Sequence, residues 1–263
     1  MIIKKFVQLI LISSIVFLAS CSNQSESTRP SEGADYKQAA ELNVQLAIGY
    51  IQRDQLEAAK EKLDKAIMQD EKNLEARKTM AYLLTRLGLN DEADEQYQAA
   101  INIKSSDPGL HNSYGAFLCG IGRAEEAMEE FKAAYTHPFY ETPYLAYANA
   151  GTCLLQQGKY IEAEAMLRKA LRINPKLAGA LVSMAELGIK TKKYLMSRAY
   201  IERYHQRNKA TAQSLWIQVQ AEKALGATDY YVKYAKQLIS EFPDSDEAGW
   251  AQEQARDEQL RNN

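Results

Sequence analysis

The chain has 263 residues, 46% of them hydrophobic and 25% charged, with 32 Lys and Arg against 34 Asp and Glu and a formal net charge of −2. That balance excludes both a basic footprint for nucleic acid and the acidic excess of a disordered solvating chain. At the start, Lys4 and Lys5 precede an apolar run from Phe6 to Ala19, which closes on Leu18-Ala19-Ser20-Cys21. A charged lead, a short apolar segment and small residues before a cut describe an export signal over 1–20, too short to span a bilayer as a mature helix.

Leu-Ala-Ser-Cys resembles a bacterial lipobox, and the resemblance implies cleavage before Cys21, lipidation of its sulfur and acylation of its new amine. The alternative is an ordinary export signal with a chance Cys. Each buried methylene contributes about 0.8 kcal/mol, so one acyl chain binds marginally and two or three bind durably. Ser22 follows Cys21 in place of the Asp that in enterobacteria-like sorting holds a lipoprotein at the inner membrane. The expected location is therefore the outer membrane, facing the periplasm. Residues 21–36 read as a lipidated flexible tether. Ser22 to Asp35 is polar, carries Pro30 and Gly33, and lacks large apolar side chains to offset its ordering entropy. Its root-mean-square span is roughly 20 Å.

After residue 36 the composition is helical: Ala, Leu, Glu, Lys and Gln dominate. The body also repeats. Ala59, Ala93, Ala127, Ala163, Ser197 and Tyr231 lie 34, 34, 36, 34 and 34 residues apart. A 34-residue period is that of the tetratricopeptide (TPR) helix-turn-helix. The fourth copy carries the pattern most fully, with Tyr147, Ala150, Gly151, Leu154, Gly158, Tyr160, Ala163, Leu167, Ala170 and Pro175. The small residues let antiparallel helices approach closely, and the central Gly supplies the left-handed residue that ends the first helix. The predicted fold is all-α: a TPR solenoid of six helix-turn-helix repeats forming a right-handed superhelix over 37–250. The repeats fall at about 40–73, 74–107, 108–141, 144–177, 178–211 and 212–245, followed by a C-terminal tail at 251–263. Copies five and six depart from the pattern, and the sixth reads as an end cap. The two extra residues between copies three and four fall in an exposed loop around Pro138 and Pro143.

Cys119 and Cys153 sit at positions 12 and 10 of consecutive first helices. Either they bridge, closing a loop of about 35 residues worth roughly 3–4 kcal/mol, or they pack as two buried thiols. His111, His137 and His205 lie in different copies with no ligand spacing around them, so no metal site and no cofactor is expected. Neither G-x-x-x-x-G-K-[ST], G-x-S-x-G nor H-E-x-x-H occurs, so the chain reads as a non-enzyme without a small-molecule substrate.

Function is then sought on the first helices, which line the groove of a TPR array. Val44, Ile48 and Ile51 form a second apolar stripe beside the packing positions Asn43, Leu46, Ala47 and Tyr50. Tyr82, Thr152, Leu155, Val182 and Ile189 take equivalent places in later copies. Two readings of the stripe stay open: an apolar groove for a partner, or a surface covered by residues 36–40 folding back as a cap. Clamp TPRs that seize acidic tails resemble one another in presenting Lys, Arg and Asn here; this chain has only isolated Lys78 and Asn112.

Three segments, "HNSYGAFLCGIGRAEEAMEEF", "PYLAYANAGTCLLQQG" and "EKALGATDYYVKYAKQLISEFPDS", resemble the type IV pilus biogenesis/stability lipoproteins of the PilF/PilW family. The resemblance covers the whole chain and implies a pilotin, which helps the pilus secretin reach and multimerise in the outer membrane. It implies secretin subunits as the protein partner, with acyl chains holding the membrane. Some members carry the paired Cys, which favours the bridge. The family's groove assignment falls on Val44, Ile48 and Ile51, and on Tyr82. The rival expectation is a periplasmic TPR lipoprotein that scaffolds cell-wall enzymes.

Overall fold

The computed structural model describes residues 32–262, among which there are thirteen α-helices and no strand. The export signal 1–20, Cys21 and the tether as far as residue 31 lie outside the described residues. The helices are α1 (Glu32–Gln52), α2 (Leu56–Gln69), α3 (Leu74–Arg86), α4 (Asn90–Ile103), α5 (Pro108–Gly120), α6 (Ala124–Thr136) and α7 (Pro143–Gln156). They continue with α8 (Tyr160–Ile173), α9 (Ala178–Lys190), α10 (Tyr194–His205), α11 (Ala212–Ala224), α12 (Thr228–Glu241) and α13 (Asp246–Asn262). Two compact units divide the chain, one ending at Thr79 and one beginning at Met80.

The turns that follow α1, α3, α5, α7, α9 and α11 share one device. A residue in the left-handed region follows each of these helices: Asp54, Gly88, Gly122, Gly158, Lys192 and Gly226, with φ between 59° and 83°. The next amide then reaches five residues back, as in Gln55 N to Tyr50 O (3.0 Å), Arg123 N to Leu118 O (2.8 Å) and Lys193 N to Gly188 O (2.7 Å). This six-to-one bond satisfies a carbonyl that the helix end would leave bare, and it folds the chain back antiparallel. Glycine takes the conformation without strain; Asp54 and Lys192 do not.

In the first unit α1 packs along α2. Ala40, Val44 and Ala47 share one stripe at i, i+4, i+7 and are all buried; so are Ala59, Leu63 and Ala66 of α2. Asn43 adds a hydrogen bond from its amide to Gln69 Oε1 at 2.9 Å. Val44 is only 3% exposed, which corrects its assignment to an open groove: it belongs to the stripe that packs, and Leu42 and Leu46 are the exposed apolar residues. Residues 32–36, expected in the tether, instead form the first turns of α1. Tyr36 is 58% exposed, so this segment continues the helix and does not fold back as a cap.

The second unit builds on close approaches. A Cβ on Gly115 would lie 2.8 Å from the Phe131 ring, and one on Gly151 would lie 2.7 Å from Leu167 Cγ. The small residue makes the hole that the partner helix fills. From α5 on, each first helix also touches the next, so α5, α7, α9, α11 and α13 run side by side. The charged pair Arg198–Glu222 joins α10 to α11, with Nε to Oε1 at 2.9 Å and the Glu222 side chain 2% exposed. α13 closes the row: Ala248 and Ala251 are buried, and Trp250 packs at 5.7 Å on Trp216. Helix continues to Asn262 through residues expected as a C-terminal tail, although the buried contacts of α13 on α11 and α12 end at Ala251.

Gly188 tests the packing most sharply. Its added Cβ would meet the Ser197 backbone nitrogen at 2.7 Å, where no side chain can swing away. Gly188→Ala is expected to lose about 1–3 kcal/mol of unfolding free energy in a denaturant titration. Gly249→Ala in α13, with nothing within 4 Å, is expected to be neutral or to gain up to about 1 kcal/mol.

Candidate partner-binding cleft

Within the second unit a cleft of about 460 Å³ opens on the first-helix row. Tyr82 and Thr85 of α3, Tyr97 of α4, Asn112, Ser113, Ala116, Phe117 and Gly120 of α5, Ile121 just after α5, and Asn149 of α7 line it. Its floor is aromatic: Tyr97 lies 5.2 Å from both Tyr114 and Phe117. Its polar groups are neutral, and no charged side chain is among the lining residues. Asn149 donates to Asn112 Oδ1 at 3.0 Å. That contact uses one donor and one acceptor of the two amides and leaves the rest to pair with a polypeptide backbone.

The charges stand behind the floor. Tyr114 donates its hydroxyl to Asp94 Oδ1 at 2.6 Å, and Arg123 Nη1 donates to Asp94 Oδ2 at 2.9 Å while also gripping Glu126. Burial alone would raise the Asp94 carboxyl, but the Tyr114 hydroxyl and Arg123 guanidinium outweigh it and hold it below the usual range. Burial and the same hydrogen bond push Tyr114 up to about 12. The network fixes the ring that Tyr97 stacks on, so the floor is held from outside the cleft.

Cys119 and Cys153 form a disulfide between α5 and α7, with Cα atoms 5.9 Å apart. A smaller hollow beside it, of about 140 Å³, shares Ala116, Gly120 and Asn149 with the cleft. The bridge therefore pins the two helices that carry the Asn pair. Among the described residues no three His, Cys, Asp or Glu side chains gather as a metal site requires.

Of the residues expected to bind a partner, Tyr82 is 51% exposed on the cleft rim in the second unit. Ile48 and Ile51 are half-buried on α1 in the first unit. Leu155 is buried, and Thr152 is tied to Ser183 at 2.9 Å, so neither offers the free groove surface expected of it. Asn149, Ala116 and Ile121 were not singled out by the sequence pattern. Asn112 and Asn149, near the middle of two consecutive first helices, are the polar signal that marks the place.

Two histidines of the second unit are shifted in opposite directions. His111 Nε2 contacts the Ser105 carbonyl at 2.8 Å and its Nδ1 the Glu130 carboxylate at 2.5 Å. Both partners accept, so the two contacts suit the protonated ring, and the hydrogen bond to Glu130 raises the His111 pKa. His205, bonded to Ser214 Oγ at 2.9 Å, is pushed down by burial.

Residues 144–177 match the tetratricopeptide repeat family. The chain is 29% identical over 232 residues to the type IV pilus assembly protein PilF of Pseudomonas aeruginosa, spanning 88% of this chain and 91% of that protein. Among solved structures it resembles PilW, described as a widely conserved type IV pilus biogenesis factor. The TM-score is 0.75 at 31% identity, over 81% of this chain and 97% of PilW. The solved PilF of Pseudomonas aeruginosa gives 0.72 at 29% identity, over 84% and 99%.

The histidines predict a stability maximum near the ordinary histidine value of 6.5. His111 stabilises fully below that pH, and its contribution is lost as pH rises through its raised folded value. His205 costs stability as pH falls from 6.5 through its lowered folded value. In urea titrations across pH, His111→Gln should flatten the alkaline flank and His205→Gln the acid flank. Reduction of the bridge, whose cysteines lie 34 residues apart, should remove about 4 kcal/mol at any of these pH values.

Proposed function

The chain belongs to the tetratricopeptide-repeat family of type IV pilus biogenesis proteins, and from that premise we propose that it is a pilotin. In this reading it is an outer-membrane lipoprotein, acylated at Cys21 and facing the periplasm, that binds subunits of the pilus secretin. It thereby promotes their arrival and multimerisation in the outer membrane. The observation that carries the reading is the 29% identity to PilF sustained over 88% of this chain and 91% of that protein.

The chemistry required is binding and tethering, without catalysis. The cleft offers an aromatic floor, neutral amides and no lining charge, which suits a neutral segment of a secretin subunit with one apolar anchor. Two or three acyl chains hold the carrier at the membrane durably. Each captured subunit is then confined near the bilayer, and its effective concentration against other captured subunits rises without any new contact between them.

Deleting the gene and assaying detergent-resistant secretin multimers tests the reading: multimers are expected to disappear or to stay in the inner membrane, and unchanged multimers in the outer membrane would refute it. Ala116→Asp, which places a carboxylate in the cleft from an exposed helix position, is expected to weaken capture of secretin subunits by on the order of tenfold or more at unchanged helicity.

A further inference from the structure

The second residue of every second helix is exposed, and its chemistry departs from acidic in two consecutive copies and then returns. It is Glu57 in α2, Asp91 in α4, Glu125 in α6 and Asp229 in α12. Acidic side chains suit this position, because the first turn of a helix leaves bare N–H groups and a positive dipole end. In α8 and α10 the same position holds Ile161 and Leu195, which are 85% and 68% exposed. Nothing in the helix calls for an aliphatic side chain there, and water disfavours it.

The turns ahead of these two helices carry lysine, as Gly122-Arg123 ahead of α6 carries arginine. Gly158-Lys159 leads into α8, and Lys190, Lys192 and Lys193 surround the turn into α10, all exposed. Lys192 occupies the strained left-handed place at φ 59° that Gly88, Gly122, Gly158 and Gly226 fill elsewhere. Lys193 Nζ reaches Glu164 of α8 at 3.1 Å, so the two turns adjoin and form one edge of the second unit. Exposed Glu162 is the acidic neighbour left on it.

We propose that this edge rests on an anionic lipid surface, with Ile161 and Leu195 entering the interface between headgroups and acyl chains and Lys159, Lys190 and Lys192 meeting the lipid phosphates. Isolated aliphatics beside lysines on a body without a membrane-crossing helix among its described residues match an interfacial contact, not an insertion. Charge selects this occupant, since lysine beside an apolar side chain complements a negative lipid phosphate more directly than a neutral protein groove. The inference goes beyond the pilotin reading and survives its failure, since it concerns lipid rather than secretin.

The experiment places a tryptophan reporter at the edge of the full chain, as Ile161→Trp or Leu195→Trp, and adds vesicles of brominated phosphatidylglycerol. Both emissions are expected to be quenched, whereas Asp91→Trp, at the same helix position in α4, stays unquenched. Vesicles of brominated phosphatidylcholine should quench at least fivefold less, and adding Lys159→Glu and Lys192→Glu should reverse the quenching, at about fivefold in affinity per lysine. Unquenched edge reporters would overturn the proposal. So would equal quenching by the two lipids, equal quenching of Asp91→Trp, or shielding of the reporters only when secretin is added. All reporter positions are exposed, and circular dichroism of each variant checks that the fold is intact.

Discussion

The left-handed residue after each first helix is the constraint from which the rest of the second unit follows. It turns the chain through one six-to-one hydrogen bond, so the second helix must run back along the first at a fixed register. Fixed register is what lets Gly115 sit under Phe131 and Gly151 under Leu167, because a slip of one residue would put a Cβ into a ring or a branched carbon. Those close approaches in turn set the first helices side by side. Only then do residues as distant in sequence as Thr85, Ala116 and Asn149 come to line one cleft.

Charge is kept away from that cleft but governs its shape. Asp94, Tyr114, Arg123 and Glu126 tie α4, α5 and α6 together behind the aromatic floor, where partial burial strengthens each hydrogen bond. An exposed ion pair contributes little to stability, about 0–1 kcal/mol, so the network matters chiefly for where it holds the Tyr114 ring. The disulfide acts on the other wall. It joins α5 to α7 within one turn of Asn149, so the amide pair depends on a covalent link as well as on packing.

The repeat was legible because glycine and alanine announce their roles. Gly88, Gly122, Gly158 and Gly226 mark turns that hardly another residue would fill without cost. Asp54 and Lys192 occupy the same place and were invisible as turn signals, since nothing in their chemistry requires a positive φ. Periodicity found two apolar stripes on α1 but could not say which one packs; Val44 proved to share the stripe of Ala40 and Ala47. The cleft was hidden for a different reason. Asn112 and Asn149 are 37 residues apart where the local step is 36, so they occupy different repeat positions and meet only because neighbouring first helices are offset along their axes. Cys119 and Cys153, 34 apart across the same step, are offset in the opposite sense and still meet.

A non-glycine residue in the left-handed region costs about 1–2 kcal/mol, and the chain accepts that cost at Lys192 although Gly serves at four equivalent turns. An exposed Leu195 adds a second unfavourable choice three residues later, and Ile161 a third on the adjoining helix. None of the three improves the packing of α8 or α10, whose buried residues are Ala163, Leu167, Ala170 and Leu171 in one and Ser197, Ile201 and Tyr204 in the other. Phe139 and Ile173 are also exposed, but here an aliphatic pair coincides with a strained lysine turn, and this cluster is where a demand from outside the fold is read. The cleft and the edge thus differ in kind. The cleft is a surface that packing creates, and the edge is one that packing alone would have made acidic.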